Sequence, residues 1–143
     1  MKHLLDQVDM VHHNGRPDLF NIGRKYRDEQ ILEIFKDDLR PVFVYESDEG
    51  EVLGYCFCMV QESIGDNVIV DHKTLYIDDL CVDETSRGLG VGKALYHYAV
   101  EYAKSIGCYN VTLNVWECNS GARAFYDSLG MKPMKTYMEE ILT

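Results

Sequence analysis

No apolar run in the sequence approaches the roughly 20 residues that a membrane-spanning helix requires. The opening stretch does not read as a secretory signal, because Asp6 and Asp9 interrupt any apolar core; the expected compartment is the cytoplasm. Basic residues are scarce: 14 Lys and Arg stand against 24 Asp and Glu, a net charge of −10. The deficit is local. Between residues 41 and 86, eleven acids face one base, Lys73, while the flanking stretches are close to balance. Without a basic footprint a nucleic-acid partner is excluded. The acidic middle fits either simple solubility or a cationic partner. Metal-ligand spacing is missing too. The five cysteines, Cys56, Cys58, Cys81, Cys108 and Cys118, are odd in number and mostly in or beside expected strands, the usage of free thiols as small apolar residues. Cys56 and Cys58 share a strand face, but no second close pair or neighbouring histidine completes a site, so no metal is expected.

What is present suits one domain, 1–143, with a real core: 46% of the 143 residues are apolar and 27% charged. Leu4, Leu5, Val8 and Val11 give helical spacing over 4–13. A loop over 12–18 carries His12 and His13, of which His13 is a candidate substrate contact. A second helix is expected over 24–39, with Ile31, Ile34, Phe35 and Leu39 inward and Pro41 stopping it. Strands follow over 42–46 and 52–62, joined by a turn at 47–50. The polar stretch 63–71 reads as a loop in which Val68, Ile69 and Val70 extend a strand. A central strand spans 73–82. A helix over 90–106 has Val91, Leu95, Tyr98, Ala99, Tyr102 and Ile106 as its buried stripe and Gly107 as its stop. A strand over 111–115, a short helix capped by Asn119 or Ser120 and ended at Gly130, and a last strand over 136–142 complete the chain. Helices interleaved with a mostly antiparallel sheet define an α/β (α+β) fold.

The chain is organised around the run from Leu75 to Leu95, an apolar strand, a short acidic turn, a glycine-rich loop and a helix start. Free N–H groups at a helix N-terminus, glycines that admit close approach and the fork of Arg87 together make an anion site. A Walker loop fails here, since Lys93 is followed by Ala94 and Arg87 stands where its first glycine belongs. A dinucleotide fingerprint fails as well, because Gly88, Gly90 and Gly92 give G-x-G-x-G. The order Arg87, Gly90, Gly92 after a strand resembles the acetyl-CoA loop of the GCN5-related N-acetyltransferase (GNAT) family. The later run Asn119, Ala122, Phe125, Tyr126 is similar to that family's next motif, and the match extends over about 41–137.

This resemblance implies a set of roles. Leu80, Cys81 and Val82 would offer backbone groups to the pantetheine arm and the acetyl carbonyl of acetyl-CoA, where the strands 73–82 and 111–115 splay apart. Arg87, Gly88, Leu89, Gly90, Val91, Gly92 and Lys93 would hold the pyrophosphate, and Asn119 would reach the pantetheine. Asp78 and Asp79 before Leu80, with Tyr126 later, look like the diamine acetyltransferase branch, which has Glu-Asp at the pair. The family's first strand is expected to be absent, leaving 42–46 at a sheet edge where a second copy could pair in a homodimer. The chemistry itself requires a base, because an amine with a pKa near ~10.4 is almost wholly protonated at neutral pH. Asp78, Asp79, Glu117 or water can serve; Asp78 is the first choice, with Asp79 as its control on the opposite strand face. Tyr126 is the expected acid for the leaving thiolate. The expected activity is acetyl transfer to a small cationic amine by direct attack; a protein N-terminal or lysine acceptor, or an acyl-CoA-binding module without turnover, remain as alternatives.

Overall fold

In the computed structural model the residues described are 13–20, 23 and 25–142. The expected first helix lies outside them, except that His13 is helical together with Asn14 and Gly15. Helix α1 (Asp28–Phe35) starts where Gln30 accepts a hydrogen bond from the Arg27 backbone N–H at 2.8 Å, with Asp28 and Glu29 favourably placed in its first turn. It is shorter than the periodicity suggests. The Asp37 carboxylate accepts from Leu39 N–H at 2.9 Å and turns the chain, so Phe35 and Leu39 end up exposed while Ile31 and Ile34 are buried.

Strand β1 (Val42–Glu46) pairs antiparallel with β2 (Val52–Ser63) through a turn in which Ser47 binds Glu51 N–H and Gly50 takes a positive φ of 83°. The ladder reaches back beyond β1, since Cys58 and Val60 donate to the carbonyls of Pro41 and Leu39. β3 (His72–Val82) pairs antiparallel with β2, and β4 (Asn110–Leu113) pairs parallel with β3. The order is β1-β2-β3-β4, so among the described residues β1 lies at one margin of the sheet.

Helix α2 (Val91–Ser105) covers one face of this sheet and α1 the other. Under α2 lie Cys56, Cys58, Leu75 and Ile77; under α1 lie Tyr55, Phe57 and Cys81. The buried stripe of α2 is Val91, Leu95, Tyr96, Ala99 and Ala103. Tyr98, expected inside, is 63% exposed. It sits at the rim with its ring 5.0 Å from that of Phe43, and Tyr96, two residues earlier, takes the inward position. Helix α3 (Ser120–Ser128) begins at Asn119, whose side chain accepts from Ala122 N–H.

Two expected strands do not form. Residues 68–70 are coil, with the Asp66 carboxylate accepting from Val68 and Ile69 N–H. Residues 136–142 are also coil; Tyr137 is 99% exposed, and Glu139 is tied instead to Arg16 at 2.6 Å. Alternating apolar residues make a strand only where another backbone pairs with them, and among the described residues none does.

Close packing of α2 on β2 depends on Gly54. A Cβ there would lie 2.9 Å from each of Cys81 O, Leu95 Cδ1 and Val91 Cγ1. Gly54→Ala is expected to cost about 1–3 kcal/mol, lowering Tm by roughly 2–4 °C per kcal/mol. Gly121→Ala, where nothing lies within 4 Å and the backbone is helical, is expected to raise it. Thermal unfolding of the two variants checks the contrast.

Candidate active site

The site begins with a mismatch in strand length. β4 pairs with β3 only from Thr74↔Asn110 to Ile77↔Leu113, while β3 runs on to Val82. From Asp79 to Val82, β3 keeps β2 on one side and has no β4 partner on the other. Leu80, Cys81 and Val82 therefore lie beyond the last β3–β4 pair, on the stretch of β3 that β4 does not flank.

A second irregularity sits at the same point. The register of β2 and β3 steps from Phe57↔Asp79 to Cys58↔Ile77, so Asp78 is an extra residue on β3. A bulge of this kind breaks the alternation of faces. Leu75 and Ile77 face α2, whereas Cys81 faces α1. It also overturns the expectation that Asp78 and Asp79 point to opposite faces. Asp79 accepts from the Tyr55 hydroxyl at 2.8 Å. Asp78 accepts from the Tyr26 hydroxyl, and both tyrosine rings pack on Phe57, at 4.9 Å and 5.6 Å. Both carboxylates thus belong to the α1 side, and Asp79 loses its standing as the control.

Their environments differ. Asp79 is 9% exposed, and burial raises its pKa against the lowering pull of the Tyr55 hydrogen bond and of Lys25. The Asp78 side chain is 10% exposed; Lys25 Nζ bonds both its Oδ1 and its backbone carbonyl, each at 2.9 Å. Tyr26 has its pKa raised, first by burial and then by its bond to Asp78. Glu117, the third candidate base, is exposed.

Beyond Val82 the chain builds the loop. The Asp83 carboxylate accepts from both the N–H and the hydroxyl of Thr85, starting a single 3₁₀ turn over Glu84–Ser86. Arg87 and Leu89 are exposed. Gly88 and Gly90 have φ of 84° and 81°, which a side chain resists. Gly90 is the N-cap of α2 and supplies no capping side chain, so the first N–H groups of the helix, on Val91, Gly92 and Lys93, get no cap from it. At Gly92 a Cβ would lie 3.1 Å from Phe125 Cζ and 3.3 Å from Val82 Cγ2, so α3 closes on the loop there.

That closure sets Tyr126. Its ring packs against the α2 core, 6.5 Å from Tyr96 and 5.1 Å from Phe125. Its pKa is raised, chiefly by burial and next by Cys56 and Asp79, so the phenol keeps its proton at neutral pH. Cys56 and Cys58 lie 3.5 Å apart at sulfur, and the Cys56 thiol is pushed up by that contact and by burial. Asn119 spends its Oδ1 on the α3 cap. His13, a candidate substrate contact, bonds the Phe20 carbonyl at 2.6 Å, and Phe20 meets Trp116 edge-on at 4.9 Å. A surface hollow of about 410 Å³ at Asp37, Arg40, Val44 and Tyr102 lies outside this arrangement. Among the described residues no group of three or more His, Cys, Asp or Glu is placed to hold a metal.

A β3 segment without a β4 partner thus leads into a glycine loop that α3 packs against, with Tyr126 half-buried against the α2 core, and comparison with known proteins gives the arrangement its family. The model of the acetyltransferase (GNAT) family matches residues 8–131. The chain belongs to that family. It is an acetyl-CoA-dependent N-acetyltransferase of the GNAT type. A glucosamine 6-phosphate N-acetyltransferase from Arabidopsis thaliana is 25% identical over 117 residues, 82% of this chain and 68% of that protein. A mutant form of the BH1408 protein from Bacillus halodurans has a TM-score of 0.94 at 29% identity, covering 98% of this chain and 90% of that one. An aminoglycoside N-acetyltransferase solved with CoA shares the fold, with a TM-score of 0.68 at 16% identity over 94% of this chain and 92% of that one.

Sequence reasoning missed Lys25, Tyr26 and Tyr55. Each reaches a carboxylate at least 24 residues away in the chain, and no local pattern carries that information.

Two measurements follow. Gly90→Val, which forces a β-branched residue to φ 81° at the loop, is expected to weaken CoA binding by tenfold or more; calorimetry showing unchanged affinity would remove the loop from the site. Asp79→Asn keeps an acceptor for Tyr55 and removes a buried charge. Because the folded pKa of Asp79 is raised, the stability it contributes is present in acid and is lost as pH rises through that value. The variant is expected to melt higher than the parent at neutral pH and equally below the ordinary carboxylate range.

Proposed function

We propose that the enzyme moves the acetyl group of acetyl-CoA to the primary amine of a small cationic acceptor by direct attack, with Asp78 as base and Tyr126 as acid. The observation that carries this reading is the uncovered run of β3 from Asp78 to Val82, with the Gly88–Gly92 loop beyond it and Tyr126 alongside. Leu80, Cys81 and Val82 give backbone groups to the pantetheine arm and to the oxygen that gains charge during attack. Arg87, Gly88, Leu89, Gly90, Val91, Gly92 and Lys93 hold the pyrophosphate, and Asn119 reaches the pantetheine. Asp78 takes the proton of the acceptor ammonium, directly or through water. Tyr126, kept protonated by its burial, gives its proton to the departing sulfur. Of the two protons the ammonium loses, Asp78 takes the first and passes it to solvent, and the second leaves the nitrogen as the C–S bond breaks and restores the Tyr126 phenol.

A cationic acceptor is favoured by the carboxylate at the mouth of the opening and by the acidic stretch from which β3 emerges. The name of the Arabidopsis relative favours a second acceptor, an amino-sugar phosphate. A thiol-release assay against putrescine, spermidine, glucosamine 6-phosphate and a lysine-bearing peptide separates these readings, and the polyamines are expected to react fastest.

With the best acceptor, Tyr126→Phe is expected to lower kcat by about 10²–10⁴ while CoA affinity holds. Asp78→Asn is expected to recover activity at high pH, where the amine loses its proton unaided. A Tyr126→Phe enzyme with full kcat would take the acid role away from that residue.

A further inference from the structure

The ammonium of Lys25 occupies an unusual position. Its Nζ lies 2.9 Å from the Asp78 carboxylate and 2.9 Å from the Asp78 carbonyl. That carbonyl belongs to the bulge residue, which the β2–β3 register skips, and it stands immediately beyond the last β3–β4 pair, Ile77↔Leu113. The Tyr26 ring forms a wall, 5.7 Å from Nζ to its centroid, and its hydroxyl holds the second carboxylate oxygen. A carboxylate, a main-chain carbonyl and an aromatic face together make a receptor for one alkylammonium group.

The occupant is weakly held compared with its receptor. The Lys25 side chain is 40% exposed, whereas that of Asp78 is 10% exposed. An ion pair with one exposed partner is screened by water and contributes little, so a competing cation displaces it at small cost. Asp78, by contrast, is fixed by Tyr26, itself braced by Arg40 at 3.4 Å from its hydroxyl.

We propose that Lys25 is an internal stand-in for the acceptor: its ammonium fills the acceptor's ammonium subsite at Asp78 in the free enzyme and leaves when a primary alkylammonium enters. This rests on the proposed function in taking Asp78 as the acceptor-side carboxylate, and it adds that the enzyme selects unbranched primary ammonium groups which reproduce the lysine side chain. Lys25 sets acceptor affinity and takes no part in the chemistry. Removing it empties the subsite for the acceptor, and keeping a cation there preserves the competition.

Two readouts test this. With putrescine as the acceptor, Lys25→Met is expected to lower KM for the amine by about fivefold, the upper range for an exposed ion pair. KM for acetyl-CoA stays as in the parent, and Lys25→Arg, which keeps the charge but not the primary ammonium, lowers the amine KM by less than Lys25→Met. An amine KM that is unchanged or raised in Lys25→Met overturns the proposal. The second readout needs no turnover. In protein labelled with ¹³C at lysine Cε, the Lys25 signal is assigned by its loss in Lys25→Met, and n-butylammonium chloride is titrated. Movement of that signal to the position of a free lysine supports displacement. A Lys25 signal that stays fixed while the other lysines report only added salt overturns it. Displacement by n-butylammonium without turnover of any amine would count against the proposed reaction and leave the subsite standing, so the two failures are distinguishable.

Discussion

One extra residue in β3 governs the site. The bulge at Asp78 arises where β3 has just lost its parallel partner and must still pair with β2. It turns two consecutive carboxylates toward one layer, where α1, Tyr55 and Tyr26 receive them. It also reverses the alternation beyond it, so that Leu80 and Val82 pack toward α2 and Cys81 toward α1. Without the slip, Cys81 would fall on the α2 side, and Asp79 would face the apolar layer of Cys56 and Cys58. Local irregularity in a ladder costs hydrogen bonds; here it aims a carboxylate and a carbonyl at the same point.

The packing around this feature explains why it stays in place. Gly54 lets α2 sit directly on β2 opposite Val82, and Gly92 lets Phe125 of α3 lean on the start of α2. The glycine loop is therefore held between two helices, and Gly90 at the start of α2 brings no side chain to cap its first N–H groups. Tyr126 enters by the same contact. Its raised pKa comes from burial in this junction, together with the thiols of β2 and the carboxyl of Asp79, which is buried on the other layer. The acid and the base of the proposed reaction thus draw their properties from opposite sides of one sheet.

Much of this was legible in the sequence. Strand β1, the Ser47–Gly50 turn, helix α2 and the Asn119 cap follow from periodicity and from glycine and Asx chemistry, which act over a few residues. The glycine turn was legible because positive φ at Gly88 and Gly90 leaves its mark in composition. What escaped depends on distant partners. The bulge is set by β2 and β4 jointly, so Asp78 and Asp79 could not be assigned to faces by counting in twos. Tyr96 and Tyr98 have the same character, and what separates them is distant: Tyr96 packs in the core beside Tyr126, and Tyr98 meets Phe43 at the rim. The final strand failed because its apolar alternation has no neighbouring backbone to pair with among the described residues. Lys25 and Tyr26 looked like the ordinary polar entrance to a helix.

The central claim is that one opening, bounded by 80–82 and 88–93, receives the acetyl-CoA arm and phosphates. Amide hydrogen exchange with and without CoA tests it most directly, because it reports on backbone groups and needs no acceptor. The account predicts that CoA slows exchange at 80–82 and 88–93 together and leaves the β1–β2 turn unchanged. Protection confined to other segments, or an unchanged pattern at saturating CoA, would contradict it.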